Sequence, residues 1–268
     1  MLKFISFGSG SSGNCYYLFT ENTGLIIDAG IGIRKLKKYF IDYGLSLAHP
    51  KNIIITHDHA DHVKAVGAIS NTYNLPVYTT KAVHDGIKRN FCVRKKINEG
   101  NIRIINTGDS FTLDDFHITS FHVPHDSLDN IGFNIDYNGK TICLMTDIGH
   151  VTEDMSLAIS NADYLIIESN YDTDMLYRGP YPDYLKKRIS GGNGHLSNKQ
   201  CAEALKNYAG KKLRHIWLCH LSQENNHPEL ARETIEPELM SSDRIDKEHL
   251  KLDVLKRTSP CNIFELEI

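Results

Sequence analysis

A hexapeptide, His57-Asp58-His59-Ala60-Asp61-His62, constrains this chain more than any other stretch. It directly follows Asn52-Ile53-Ile54-Ile55-Thr56, an apolar, β-branched run that reads as a buried strand. His57 and His59 are two apart at the strand exit, so an extended backbone points both imidazoles to one side. Asp61 and His62 fall where the chain turns into the next helix. One short loop thereby offers two ligands to each of two metal ions. Neutral imidazoles with a few carboxylates suit Zn²⁺, and also Mn²⁺ or iron.

Three further candidates lie far along the chain. They are His125 in Val123-Pro124-His125-Asp126, Asp147 in Met145-Thr146-Asp147-Ile148-Gly149, and His220 in Leu218-Cys219-His220-Leu221. Each sits at or just past the end of an apolar run. With His57, His59, Asp61 and His62 they make seven residues with the chemistry of one dinuclear site, and two metals held close together make a hydrolytic centre. Asp58 and Asp126 neighbour these positions and read as loop groups or as carboxylates that orient a histidine.

Strand signals fall at 2–7, 15–20, 24–28, 53–56, 77–79, 102–106, 116–121, 131–137, 141–146, 164–168 and 215–219. A last extended stretch, 252–266, is broken near Ser259-Pro260. Asn138-Gly139 between two of these runs is a hairpin signal. Helical patterns fall at about 31–43, 62–73, 80–90, 151–160, 180–189, 197–209 and 228–238. Strands with intervening helices in each half predict an α/β fold, two stacked sheets with helices outside in a four-layer αββα sandwich. No repeat or linker divides the chain, so residues 1–268 are expected to form a single domain.

No apolar run approaches the roughly 20 residues of a membrane span. The first seven residues read as a strand rather than a leader. The six cysteines are widely spaced, with no C-x-x-C pair, and read as reduced thiols of a cytoplasmic protein. The net charge of −3 gives no general support for nucleic-acid binding. Positive charge is clustered at Lys35/Lys37/Lys38, Arg94/Lys95/Lys96, Lys186/Lys187/Arg188 and Lys211/Lys212/Arg214. Most of these read as solvated helix faces; the cluster at 186–188 differs in preceding a candidate active-site segment.

Three segments narrow the chemistry. Ile166-Ile167-Glu168-Ser169-Asn170 puts a carboxylate at a strand end. Gly191-Gly192-Asn193-Gly194-His195-Leu196-Ser197-Asn198 is a Gly-rich loop delivering His195 to a helix start. His220-Leu221-Ser222-Gln223-Glu224-Asn225-Asn226 sets polar side chains right after a candidate ligand. Phosphodiester cleavage needs an activated water, positive charge on the phosphoryl oxygens and a proton for the departing oxygen. Metals supply the first two. His195 is the candidate for the third, with Glu168 holding it as imidazolium. Ser222 and Asn225 can donate to a phosphate, and Ser11 or Asn14, in the loop over 8–14, can touch substrate. Each also has a bland role: His195 as a helix cap, Glu168 as a structural carboxylate, Ser222 and Asn225 as turn-formers.

The hexapeptide and the His125, Asp147 and His220 segments resemble the metallo-β-lactamase-fold hydrolase superfamily over nearly the whole chain. The resemblance implies that His57, His59 and His125 hold one metal and that Asp61, His62 and His220 hold a second. Asp147 would bridge the two, with a hydroxide between the metals as nucleophile. The loops Phe7-Gly8-Ser9-Gly10-Ser11-Ser12-Gly13-Asn14-Cys15, Gly194-His195-Leu196-Ser197-Asn198 and His220-Leu221-Ser222-Gln223-Glu224-Asn225-Asn226 are similar to those of the YycJ (WalJ)-like subgroup. That subgroup is related to the tRNA 3′-processing nucleases. It implies two divalent ions, Zn or Mn, and 5′-to-3′ exonuclease action on DNA with a role in DNA repair. Asp61, His195 and Glu168 are then the expected catalytic residues, and Ser222, Asn225 and Asn14 the expected substrate contacts. The competing readings are a carboxyl-ester, thioester or small cyclic phosphodiester hydrolase with the same metals, and a metal-stabilised binding protein.

Overall fold

The computed structural model describes residues 1–268. The chain forms two compact units: residues 1–115, 127–130 and 256–268 in unit 1, and 116–126 and 131–255 in unit 2. Unit 1 holds β1 (Leu2–Gly8), β2 (Cys15–Phe19), β3 (Gly24–Ile27), α1 (Ile33–Asp42), β4 (Asn52–Ile54), α2 (Ala60–Val63) and α3 (Val66–Tyr73). It continues through β5 (Val77–Thr79), α4 (Lys81–Arg89), β6 (Ile102–Ile104) and β7 (Ser110–Leu113). Unit 2 holds β8 (Phe116–His122), β9 (Ile131–Tyr137), β10 (Lys140–Met145), α5 (Glu153–Asn161), β11 (Tyr164–Glu168), α6 (Thr173–Arg178) and α7 (Asp183–Ile189). It ends with α8 (Asn198–Tyr208), β12 (His215–Cys219), α9 (Pro228–Ser241) and β13 (Lys251–Val254), and β14 (Phe264–Leu266) belongs to unit 1.

In unit 1 the strand order is β14-β1-β2-β3-β4-β5-β6. Pairing is antiparallel from β14 to β3 and parallel from β3 to β6. Parallel strands are covered on both faces, which is why Gly24–Ile27 and Asn52–Ile54 are apolar runs buried at every position. Helix α1 buries Leu36 and Phe40 and exposes Arg34, Lys35, Lys37 and Lys38. The Phe40 ring lies 4.6 Å from that of Phe7 and 5.2 Å from that of Tyr17. Burying a side chain of this size contributes about 1.5–3 kcal/mol.

In unit 2 the strands run β13-β12-β11-β10-β9-β8. Pairing is antiparallel from β8 to β10 and parallel from β10 to β13. Asn138 and Gly139 have φ of 47° and 79°, as the tight hairpin turn between β9 and β10 demands. Leu165, Ile167, Ile216 and Leu218 share one core with Met155 and Ile159 of α5 and Cys201 and Leu205 of α8. Helix α8 starts at a capping box in which Ser197 accepts from Gln200 and returns its own N–H to the Gln200 side chain.

The helix expected over 62–73 is two helices. The Ala65 N–H donates to Ala29 O at 2.8 Å instead of continuing the first helix, and a Cβ on Gly30 would come 1.5 Å from Asp61 O. That close approach fixes where α2 stops. Strand β7 and helix α6 are additions to the sequence reading, both too short to show a period; α6 begins at Asp172, which accepts from Met175 N at 2.9 Å. All six cysteines are free and five are buried. Burial pushes the Cys15, Cys143 and Cys201 thiols up, as for inert core residues. No helix is long and apolar enough to cross a membrane.

Candidate metal centre

The unit 1 ligands leave the C-terminal end of a parallel strand, where open α/β sheets place their ligand sites. Residues His57 to His62 follow β4, and Asp28 directly follows the neighbouring β3. Asp28 is fully buried and is the organiser of this half. It accepts from Thr56 N at 2.9 Å and from Thr56 Oγ1 at 2.9 Å, and lies 2.7 Å from Nδ1 of His62. A carboxylate there accepts the Nδ1–H hydrogen bond and fixes the tautomer of the ring. Thr56 Oγ1 lies 3.0 Å from Nδ1 of His57, which makes Nε2 the candidate ligand atom. The His57 ring centroid is 4.0 Å from that of His62 and 4.8 Å from that of His59. His59 caps α2, whose first turn carries Asp61, with its Oδ2 3.6 Å from Nε2 of His62.

Asn14, an expected substrate contact, lies within this half and is fully buried. Its N–H donates to Asp61 O at 2.7 Å, and its amide donates to Gly10 O at 3.2 Å and lies 2.8 Å from Nε2 of His62. It shapes the Asp61-His62 turn, whereas Ser11 and Ser12 of the same loop are exposed. Asp58 also holds loops together: Oδ1 accepts from Leu128 N at 3.3 Å, and its carbonyl accepts from Asn90 at 2.9 Å.

In unit 2, Glu168 at the end of β11 is the hub. It is fully buried, and its four close partners use both oxygens. Oε1 lies 2.9 Å from Nδ1 of His195 and 2.9 Å from Nδ1 of His220. Oε2 accepts from Ile148 N at 2.8 Å and Leu196 N at 2.9 Å. Burial opposes its charge, but the His195 imidazole and the two histidine hydrogen bonds outweigh that and hold the carboxyl below its usual range. Burial likewise opposes a charged His195, yet Glu168 and Asp147 push its pKa up. Asp147, Glu168, His195 and His220 bring ligand-type atoms within 4.8 Å of one another.

The other unit 2 residues are held as firmly. Asp147 Oδ2 accepts from Thr146 Oγ1 at 2.8 Å. Nδ1 of His125 donates to Gly194 O at 3.0 Å, leaving Nε2, which is 3.7 Å from Asp147 Oδ1. Gly194 is required because a Cβ there would come 2.2 Å from both Arg188 O and Ile189 O. Asn170 donates to His220 O at 2.8 Å. Asp126 is paired with Arg188, the one member of the 186–188 cluster engaged this way. Ser222 is partly exposed, while Asn225 is fully buried and donates its backbone N–H to Ser222 Oγ at 3.2 Å. Asn225 therefore closes the turn behind Ser222 instead of reaching outward.

Sequence reasoning missed Asp28, Thr56, Asn170 and Thr146. Asp28 carried a readable signal, a carboxylate at a strand exit, the same signal that singled out Glu168. Thr56, Asn170 and Thr146 carried none, since only folding shows what they face. Three of these site residues, Asp28, Asp147 and His220, have φ of 59°, 57° and 53°. Side chains other than glycine rarely adopt this conformation, and when they do it is concentrated at functional sites.

Strands that end in histidines and carboxylates, on two mixed sheets with helices, define a class of metal-dependent hydrolase. Residues 23–220 match the beta-lactamase superfamily domain, and the chain belongs to that family, with its α/β sandwich fold. Among its relatives is exodeoxyribonuclease YycJ of Bacillus anthracis, 33% identical over 87% of this chain and 88% of that protein. Another is exodeoxyribonuclease WalJ of Streptococcus pneumoniae, 34% identical over 90% of this chain and 89% of that protein. The fold is shared with YhfI of Bacillus subtilis, TM-score 0.72 and 16% identity over 99% of this chain and all of that one. Zn²⁺-bound PqqB of Methylobacterium extorquens also has a TM-score of 0.72, with 15% identity over 97% and 99% of the chains. The family implies a bound divalent metal. The donor set fits one: the imidazoles of His57, His62 and His125 each have Nδ1 engaged by an oxygen, and Asp147, Glu168, His195 and His220 offer a close cluster of ligand-type atoms.

Proposed function

We propose that the protein is a dinuclear metal-dependent phosphodiesterase, an exonuclease that degrades DNA from 5′ to 3′. The observation that carries this reading is the Glu168–His195 contact, set in a chain that is 33–34% identical to two exodeoxyribonucleases over most of its length. A thioester hydrolase has no need of such a pair, because a thiolate leaves unaided. A departing sugar oxygen needs a proton.

In this reading His57, His59 and His125 hold one ion, Asp61, His62 and His220 hold the second, and Asp147 serves both. The ions, Zn or Mn, supply an activated water and positive charge for the phosphoryl oxygens. The chain's own residues do the rest. Glu168 keeps the Nδ1 proton of His195 and favours its charged form, so that Nε2–H is the acid facing the leaving oxygen. Glu168 also fixes the tautomer of His220, and Asp28 does so for His62. Ser222 offers its hydroxyl to a non-bridging phosphate oxygen, and Asn225 and Asn14 act by positioning. We place the enzyme in the cytoplasm and in DNA repair; the free, buried cysteines support a reducing compartment.

The test is digestion of end-labelled single- and double-stranded DNA and RNA with added Mn²⁺ or Zn²⁺, beside an Asp61→Ala control. The expected result is mononucleotide release from the 5′ end of DNA that is lost in the control. No cleavage of any polymer with either metal, with ester hydrolysis retained, would overturn the reading in favour of a carboxyl-ester or thioester hydrolase.

A further inference from the structure

A cavity of about 850 Å³ opens in unit 1, and no candidate metal ligand lines it. Helix α1 contributes Arg34, Lys35 and Lys37 to its wall, Lys64 follows α2, and Arg94 and Lys95 come from the loop after α4. Of its 18 lining residues, seven are basic and none is acidic. The whole chain has 30 basic and 33 acidic residues, so the lining departs sharply from the average. All six named side chains are exposed, and none of them pairs with a carboxylate.

These charges are held in place. A Cβ on Gly67 of α3 would come 1.9 Å from Lys95 O, so that loop lies directly on the helix. Asn71 of α3 donates to Lys96 O at 2.9 Å and accepts from Asn98 N at 3.0 Å, which fastens the loop on both sides. Lys35 Nζ donates to Thr258 O at 2.9 Å. Phe91 is 90% exposed beside Cys92, which lines the cavity. An exposed aromatic ring in the same loop as Arg94 and Lys95 suits single-stranded nucleic acid, which sets phosphates on cations and stacks a base on a ring. Two of the basic runs, read from sequence as solvated faces, thus meet around one space.

We propose that this cavity binds single-stranded DNA, with successive backbone phosphates on Arg34, Lys37, Lys64, Arg94 and Lys95 and a base stacked on Phe91. Cations spread over three segments are too many for one phosphate and suit a chain of them. Lys64 lies two residues beyond His62, so a strand held here passes beside the short helix that carries Asp61 and His62. The proposal rests on the nuclease reading, and it explains how a chain of net charge −3 holds a polyanion.

The test is binding of a fluorescent single-stranded DNA, by anisotropy against salt, in an Asp61→Ala background that silences turnover. The quadruple variant Arg34→Gln/Lys37→Gln/Arg94→Gln/Lys95→Gln is compared with its parent. Single strands lose about 0.7 in the salt slope per phosphate contact removed, so the slope should fall by about 2–3 and affinity by at least tenfold. Phe91→Ala should weaken binding with the slope unchanged. With Asp61 restored, hydrolysis of bis(p-nitrophenyl) phosphate should stay within about twofold of the parent, because that substrate is too small to span the cavity. Unchanged affinity and slope in the quadruple variant would overturn the proposal, as would equal loss of small-ester hydrolysis, which marks damage to the fold. A parent that cleaves no phosphodiester but binds DNA through these four residues would sink the nuclease reading and leave the cavity assignment standing.

Discussion

In unit 1 four candidate ligands come from six consecutive residues, steadied by one carboxylate, Asp28, from the adjoining strand. In unit 2 the candidates are solitary: His125, Asp147 and His220 leave three different segments and His195 a fourth. Their common point is Glu168, which reaches His195, His220 and two backbone N–H groups. A compact motif needs one outside group to fix a tautomer. A dispersed set needs a buried hub that fixes several segments at once. The two arrangements should therefore fail differently.

Removing the hub is the most damaging change. Glu168→Ala strands two imidazole N–H groups and two backbone N–H groups in the interior, each at a cost of about 1–3 kcal/mol. Denaturant unfolding should show a loss of at least about 3 kcal/mol, with turnover gone. A variant of parental stability would mean that Glu168 is no hub. His195→Ala spares most of that network and removes the proposed proton donor, so DNA turnover should fall by roughly 10²–10⁴ while bound metal, measured by elemental analysis, stays constant. Parental turnover would leave His195 as a structural partner of Glu168 only.

Asp28→Asn tests the unit 1 half. Loss of the carboxylate that orients His62 should weaken metal affinity by about 10–100-fold in a chelator competition, with little loss of fold. An unchanged affinity would erase the contrast between the halves. The pH response separates them further. Glu168 is held below its ordinary 4.5, so its contribution is present above that value and is lost as pH falls through its depressed folded pKa. His195 is held above 6.5, so its contribution is complete below that value and is lost as pH rises through its raised folded pKa. The pair is whole between these limits. The stability advantage of the metal-free parent over His195→Gln should be greatest between pH 4.5 and 6.5 and shrink as pH rises through the raised His195 pKa. A flat difference would deny the coupling. Ser222→Ala has the smallest expected effect, a rise in KM of about 2–10-fold from one lost hydrogen bond, with kcat held.

The same contrast explains what could be read in advance. The hexapeptide after Ile53–Thr56 was legible because ligand spacing and a strand signal lie side by side. His125, Asp147, His220 and Glu168 were legible through their places at the ends of apolar runs, though nothing in the sequence says that Glu168 serves two histidines. Strands 77–79, 131–137, 164–168 and 215–219 match the expected bounds because apolar β-branched runs end abruptly in polar residues. The break between α2 and α3 was not legible, because it depends on a long-range bond from Ala65 to Ala29. Asn14 and Asn225 read as substrate donors, since Asn is polar in any sequence; the fold turns both inward. The basic runs near 35 and 95 looked unrelated because 60 residues of chain separate two walls of one cavity.

The left-handed backbone at Asp28, Asp147 and His220 has an evolutionary consequence. Glycine is the residue that each of these positions would accept with least strain, and each non-glycine occupant costs about 1–3 kcal/mol. A population of genes selected for heat resistance alone, with activity left unscreened, should be driven toward glycine at 147 and 220. Such lineages would relieve backbone strain while shedding two candidate ligand side chains, and they could not easily return.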